Sequence, residues 1–207
     1  MRVRVLPADL RGGIYYFSPT TSGLKRVPIG ARAPVDFLSQ GGGTGCAGCH
    51  ALSRDGRRVA AELGSADSNL GSTVFDAADQ RRQLFPPSRD SAWNFATFNP
   101  EGDRLISVWQ GALALRDTAT GQKIKDLPRD LVGGQGATMP EWSPDGKWLA
   151  VVRLQKASRD FALSDSGDLV ILPYNNGAFG PAVTLARATP GGTVHAWPSW
   201  SPDSRSL

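Results

Sequence analysis

Both cysteines of this 207-residue sequence, Cys46 and Cys49, lie three positions apart, and one of its two histidines, His50, follows directly. Cys-x-x-Cys-His is the pattern that attaches a c-type haem: each thiol bonds to one vinyl group and the next residue places an imidazole under the iron. On that chemistry Cys46, Cys49 and His50 are the candidate haem c residues, with His50 as the iron ligand. Other chemistries suit the same side chains. A Cys46–Cys49 disulfide, or two structural thiols, needs no cofactor. Zinc could take Cys46, Cys49 and His195, although the sequence offers no clear fourth ligand. A thioredoxin-like centre wants a helix N-terminus, whereas Gly41-Gly-Gly-Thr-Gly45 leads into the motif and a strand pattern leads out.

The remaining signals point away from catalysis. Gly43-Thr-Gly-Cys-Ala-Gly48 spells G-x-G-x-x-G but precedes a strand and turn instead of a helix. No G-x-S-x-G nucleophile elbow occurs. His195, Ser199 and Asp203 do not form a triad signal, because a repeated turn already accounts for Ser199 and Asp203. The chain is therefore expected not to be an enzyme. Its net charge of +4 is scattered, with pairs at Arg57-Arg58 and Arg81-Arg82 separated by acids, so no nucleic-acid face is expected. No run of 18 apolar residues encodes a membrane span, and Met1-Arg-Val-Arg-Val-Leu-Pro has no apolar signal core.

What positions the motif is a repeat. His50-Ala-Leu-Ser-Arg-Asp-Gly56, Ala96-Thr-Phe-Asn-Pro-Glu-Gly102, Pro140-Glu-Trp-Ser-Pro-Asp-Gly146 and Pro198-Ser-Trp-Ser-Pro-Asp-Ser204 align, so the acids Asp55, Glu101, Asp145 and Asp203 recur at intervals of 46, 44 and 58 residues. Roughly 40–50 residues make one four-stranded propeller blade. In each copy a large apolar residue ends a strand, a Ser or Asn and usually a Pro enter the turn, and an apolar strand such as Trp148-Leu-Ala-Val-Val-Arg leaves it. The fold class is all-β: a propeller of four-stranded blades, partial, with about four blades present. Residues 1–207 form one domain, with an outer half-blade at 13–38, blades at 46–90, 93–130 and 137–188, and the start of another at 195–207. An Asn175-Asn176-Gly177 turn is expected within the third blade.

Trp142-Ser-Pro-Asp-Gly-Lys-Trp-Leu-Ala and Trp200-Ser-Pro-Asp resemble the PD40 (WD40-like) repeats of TolB-like propellers and of the propellers of prolyl-oligopeptidase-like enzymes. The resemblance covers nearly the whole chain. It implies an extracytoplasmic, bacterial-type binding scaffold, periplasmic or otherwise associated with the cell envelope or a lipoprotein, with a protein partner at the rim. Rings of this type usually have six or seven blades, so the chain is expected to be a fragment of a longer protein. The resemblance does not extend to Cys46-Ala-Gly-Cys49-His50, which TolB repeats lack. Counting back from the turn acids, Cys49 aligns with Phe95, Met139 and Trp197, and Ala47 with Ala137 and His195. Met139 and His195 are thus the candidate distal ligands of a haem held by His50. Three readings follow: a haem c propeller for electron transfer or sensing; a haem-free protein- or glycan-binding propeller with structural cysteines; and the propeller portion of an S9-type serine peptidase without its catalytic domain.

Overall fold

A computed structural model describes residues 12–38, 46–64, 70–79, 82–155, 167–189 and 195–207. The repeated turn sets its geometry. In Ser53–Gly56, Asn99–Gly102, Ser143–Gly146 and Ser201–Ser204 the fourth N–H closes on the first carbonyl at 2.8, 3.0, 3.0 and 2.9 Å. The fourth residue is left-handed each time, with φ of 71°, 74°, 74° and 60°. The turn acid is clasped by the first side chain: Ser53 to Asp55 at 2.6 Å, Asn99 to Glu101 at 2.8 Å, Ser143 to Asp145 at 2.7 Å and Ser201 to Asp203 at 2.6 Å. The Ser hydroxyl, or the Asn99 amide oxygen, then accepts the N–H that opens the returning strand, at 2.9 Å from Arg58, Arg104 and Trp148. Side-chain bonds of this kind compete well with alternative backbone pairings and fix where the chain reverses.

The strands between these turns form four antiparallel sheets. The first holds β1 (Gly13–Ser18), β2 (Gly23–Pro28) and β3 (Val35–Leu38); the second β4 (Cys46–Leu52), β5 (Arg58–Gly64) and β6 (Gly71–Asp76), widened by the bridges Ser72–Ser88 and Phe75–Gln83. The third holds β7 (Phe95–Phe98), β8 (Arg104–Trp109), β9 (Ala112–Asp117) and β10 (Lys123–Leu127). The fourth holds β11 (Gly136–Trp142), β12 (Trp148–Leu154) and β13 (Gly167–Asn175), with the short β14 (Ala178–Phe179) and β15 (Val183–Ala186) both paired to β13. The turn into β14 has Asn176 at φ 49° and Gly177 at φ 83°, both left-handed as a tight hairpin requires. No helix among the described residues is long and apolar enough to cross a membrane.

The sheets stack face to face around an axis, so their middle strands are apolar on both sides. Val59 and Ala61 of β5 pack with Leu24 and Phe37 of the first sheet, while Ala60 and Val74 pack with Phe98 and Leu105 of the third. Ile106, Val108 and Leu115 in turn meet Ala137, Trp142 and Val151 of the fourth. This radial packing of sheets is a β-propeller. Equivalent junctions join successive sheets: Ala47 N–H donates to the Ser22 carbonyl at 3.1 Å and Ala137 N–H to the Gly111 carbonyl at 2.9 Å. Since Gly111 lies in the β8–β9 turn, Ser22 marks β1 and β2 as the second and third strands of a blade. The leading hairpin is therefore a middle pair with β3 outside it, a strand whose sequence Val35-Asp-Phe-Leu38 is too short for a periodic signal.

Candidate functional site

The inner strands β4, β7 and β11 and the segment 195–207 converge on a cavity of about 780 Å³. Cys49, His50 and Arg54 line it from the second sheet, Phe95 and Thr97 from the third, Met139 and Glu141 from the fourth, and Trp197 and Ser199 from the last segment. Three aligned residues share an unusual backbone: Cys49, Met139 and Trp197 have φ of 43°, 49° and 55°. In β4 the pairing register shifts between Gly48 and Ala51, and in β11 between Thr138 and Glu141. A bulge of this kind re-aims the side chain at the shift. Phe95, the fourth aligned residue, pairs in unbroken register with Val108. Left-handed backbone in a non-glycine residue costs about 1 kcal/mol or more, so its recurrence at one repeat position around a cavity marks a built feature.

Within the second sheet, polar groups replace the apolar ones found elsewhere. Cys49 is exposed on the cavity wall, and its thiol hydrogen-bonds to the carboxyl of Glu62. Seven residues beyond its turn acid, Glu62 occupies the position held in the next two sheets by the buried Val108 and Val152. Burial pushes the Glu62 carboxyl above its ordinary range, with the Cys49 bond opposing that rise. His50 stands where the other copies have Ala96, Pro140 and Pro198. Its half-buried ring is held below the usual histidine value by desolvation, against a hydrogen bond to the Tyr15 backbone.

The candidate residues are thus only partly gathered. Cys49, His50 and Met139 share the cavity wall, while His195 lies outside its lining, with Nε2 3.3 Å from the Arg187 carbonyl oxygen. Met139 is 4% exposed and packs in the core, and its sulfur accepts the Trp197 N–H at 3.3 Å. Cys46 opens β4 opposite Gly64, and its side chain lies outside the described residues. Among the described residues no three His, Cys, Asp or Glu side chains form a metal-holding group.

Glu62, Arg54 and Glu141 escaped the sequence reading, and Trp197 was aligned with Cys49 without being assigned to the site. Glu141 projects from β11 with Thr97 Oγ1 at 3.4 Å, and its backbone carbonyl accepts the Trp200 indole N–H at 3.1 Å. Burial raises its carboxyl above the usual glutamate value, and the Arg54 guanidinium and the Thr97 bond pull it back. Trp197 is 67% exposed, its ring meeting the Phe95 ring edge-on at 5.6 Å. The available signal was the alignment itself, in which Glu62 and Glu141 stand beside apolar or hydroxyl counterparts in the other copies.

No protein-family model matches the chain, and no curated protein does. Solved structures do. TolB from Acinetobacter baumannii is 20% identical with a TM-score of 0.63, over 93% of this chain and 44% of that one. A prolyl endopeptidase is 16% identical with a TM-score of 0.52, over 79% of this chain and 25% of that one. A chain of the mitotic checkpoint complex is 15% identical with a TM-score of 0.50, over 78% of this chain and 60% of that one. This chain therefore spans less than half the length of that TolB. At these identities the likeness establishes the β-propeller fold, which hosts many activities.

Proposed function

We propose that the protein is a non-enzymatic, extracytoplasmic binding scaffold of the TolB-like kind, engaging a partner through the face onto which the axial cavity opens. One observation carries this reading. Residues of four successive repeats, three of them with left-handed backbone, converge on one concave, mixed polar and aromatic surface. Such a surface, on a rigid frame of paired strands, is where recognition is expected. The structural likeness to TolB supports the envelope setting. A photo-crosslinking amino acid at Trp197 should yield a discrete adduct in intact cells, and the same amino acid at Ile124, an exposed residue of the outer strand β10, should not. Equal adducts from both positions would defeat the reading.

A second reading is favoured by the side-by-side placement of Cys49 and His50 on the cavity wall. Haem c would be held there by Cys46 and Cys49 as thioethers and by His50 at the iron, supplying electron transfer or redox sensing. The exposed thiol and a half-buried imidazole with one backbone tether suit that donor set. Protein exported together with the haem-attachment machinery should show a Soret band that Cys49→Ala abolishes; a colourless product would dismiss this reading and leave the scaffold reading standing.

A further inference from the structure

We infer that the axial cavity binds a neutral pyranose, stacked on the Trp197 indole and hydrogen-bonded by Glu141 and Arg54. The inference rests on the scaffold reading above and names the class of small ligand the cavity itself takes. The charged side chains of the lining are Arg54 and Glu141, one of each sign and near enough to interact. An anionic ligand would meet Glu141 and a cationic one Arg54, and each would leave the opposite charge uncompensated in a partly desolvated site. A neutral ligand rich in hydroxyls uses both, since a hydroxyl donates to a carboxylate and accepts from a guanidinium. Thr97 and Ser199 add two more hydroxyl groups to the same lining.

The aromatic wall completes the match. The Trp197 ring, 67% exposed, offers a flat apolar surface to the concavity. The Trp197 main chain is anchored by its left-handed φ of 55° and by the bond from its backbone N–H to the Met139 sulfur, and its ring is held at one edge by Phe95. A ring so held loses little freedom when a ligand stacks on it. A pyranose presents an apolar C–H face to such a ring and a fringe of hydroxyls to the polar groups beside it. The volume of about 780 Å³ lies in the range of small-ligand sites and leaves room for more than one sugar ring.

The test is a titration of the intact chain, followed by tryptophan fluorescence and calorimetry, with methyl glucoside, N-acetylglucosamine and its β-1,4 disaccharide. Glucuronate and glucosamine serve as anionic and cationic comparisons. Saturable binding of a neutral sugar is expected, weaker for both charged sugars, reduced at least about tenfold by Trp197→Ala and less by Trp197→Phe. Unchanged urea midpoints verify that the variants fold; if Trp197→Ala does not, Thr97→Val and Glu141→Gln supply the comparison. Absence of saturable binding by any neutral sugar, or binding indifferent to these substitutions, overturns the inference. A position-specific crosslink at residue 197 without sugar binding would refute the sugar alone, whereas loss of both would refute the scaffold reading as well.

Discussion

The thiol of Cys49 is hydrogen-bonded to the carboxyl of Glu62, across a bulged strand pair at whose equivalent positions the next two sheets along the chain place apolar side chains. The Phe95–Val108 pair and the Met139 and Val152 positions show what this repeat position otherwise holds. The second sheet thus carries a desolvated acid where an aliphatic group would pack more favourably. Glu62→Val is expected to stabilise the fold at neutral pH while leaving Cys49 without its acceptor. Urea unfolding measures the first effect, and the rate at which Cys49 reacts with a maleimide measures the second; a destabilised Glu62→Val protein would contradict this account.

The acid-range stability follows from the same burial. Glu62 and Glu141 are both held above the ordinary glutamate value of 4.5. The folded chain therefore keeps protons that the unfolded chain has released, and the stability tied to these groups is fully present below 4.5 and lost as pH rises through their folded values. The advantage of a Glu62→Gln, Glu141→Gln double variant over the parent should grow with pH across that window and then level off. Denaturation midpoints across the range from acid to neutral would detect it; a gap that shrinks with rising pH would reverse the sign.

His50 obeys the opposite rule. Its ring is depressed below 6.5 by burial, so the stability it contributes is present above 6.5 and lost as pH falls through the lowered value. In NMR spectra the His50 ring should titrate below 6.5. A value above that figure would mean that the ring is solvated or paired with a carboxylate.

Arg153 and Asp168 form the most enclosed ion pair described, at 2.6 Å with side chains 15% and 3% exposed. Asp168 also accepts from Gln155 and from the Ala188 N–H, and Arg153 reaches Thr184 at 3.1 Å, so one pair ties β12 to β13, β15 and the chain beyond. Removing one partner strands the other, at a cost of about 3–5 kcal/mol. Asp168→Ala should lower the urea midpoint accordingly. Replacing both residues with apolar ones should cost less than the single change.

At Gly136, a Cβ would lie 2.7 Å from the Gly111 carbonyl oxygen, the acceptor at the junction of the third and fourth sheets. Gly146 also has a positive φ, 74° against 142° at Gly136, but its Cβ would meet nothing closer than Pro100 at 3.4 Å. Gly146→Ala should therefore cost only the left-handed backbone, about 1 kcal/mol. Gly136→Ala should cost more, because the two sheets must part. Equal losses in thermal unfolding would show that the junction yields freely.

The turn chemistry was readable in advance because it is written in side chains: Ser or Asn, Pro, acid and Gly each perform a local task visible in one short segment. The same holds for Asn176-Gly177, whose left-handed pair needs no distant partner. The left-handed backbone at Cys49, Met139 and Trp197 was not readable. A cysteine, a methionine and a tryptophan carry no common preference for positive φ, and what holds them there is packing between sheets. Glu62 was hidden for a related reason. Arg58-Val-Ala-Ala-Glu62 reads as an apolar strand with a polar end, and only the stacked sheets show that this end is half-buried. Cys49, His50 and Met139, which the alignment sets near the starts of their strands, line one cavity, whereas His195, one aligned position away from the start of the motif, lies outside its lining.

The left-handed position shared by Cys49, Met139 and Trp197 acts as a socket. The ladder on either side is carried by main-chain bonds and by the clasped turns, so where the seated side chain is exposed, as at Cys49 and Trp197, its identity bears little on the frame that presents it. Exchanging a thiol for a thioether or an indole re-equips the mouth without redesigning a blade. A lineage built on this frame can change the chemistry of its cavity wall by single substitutions at residues 49 and 197, while the strands behind them stay as they are.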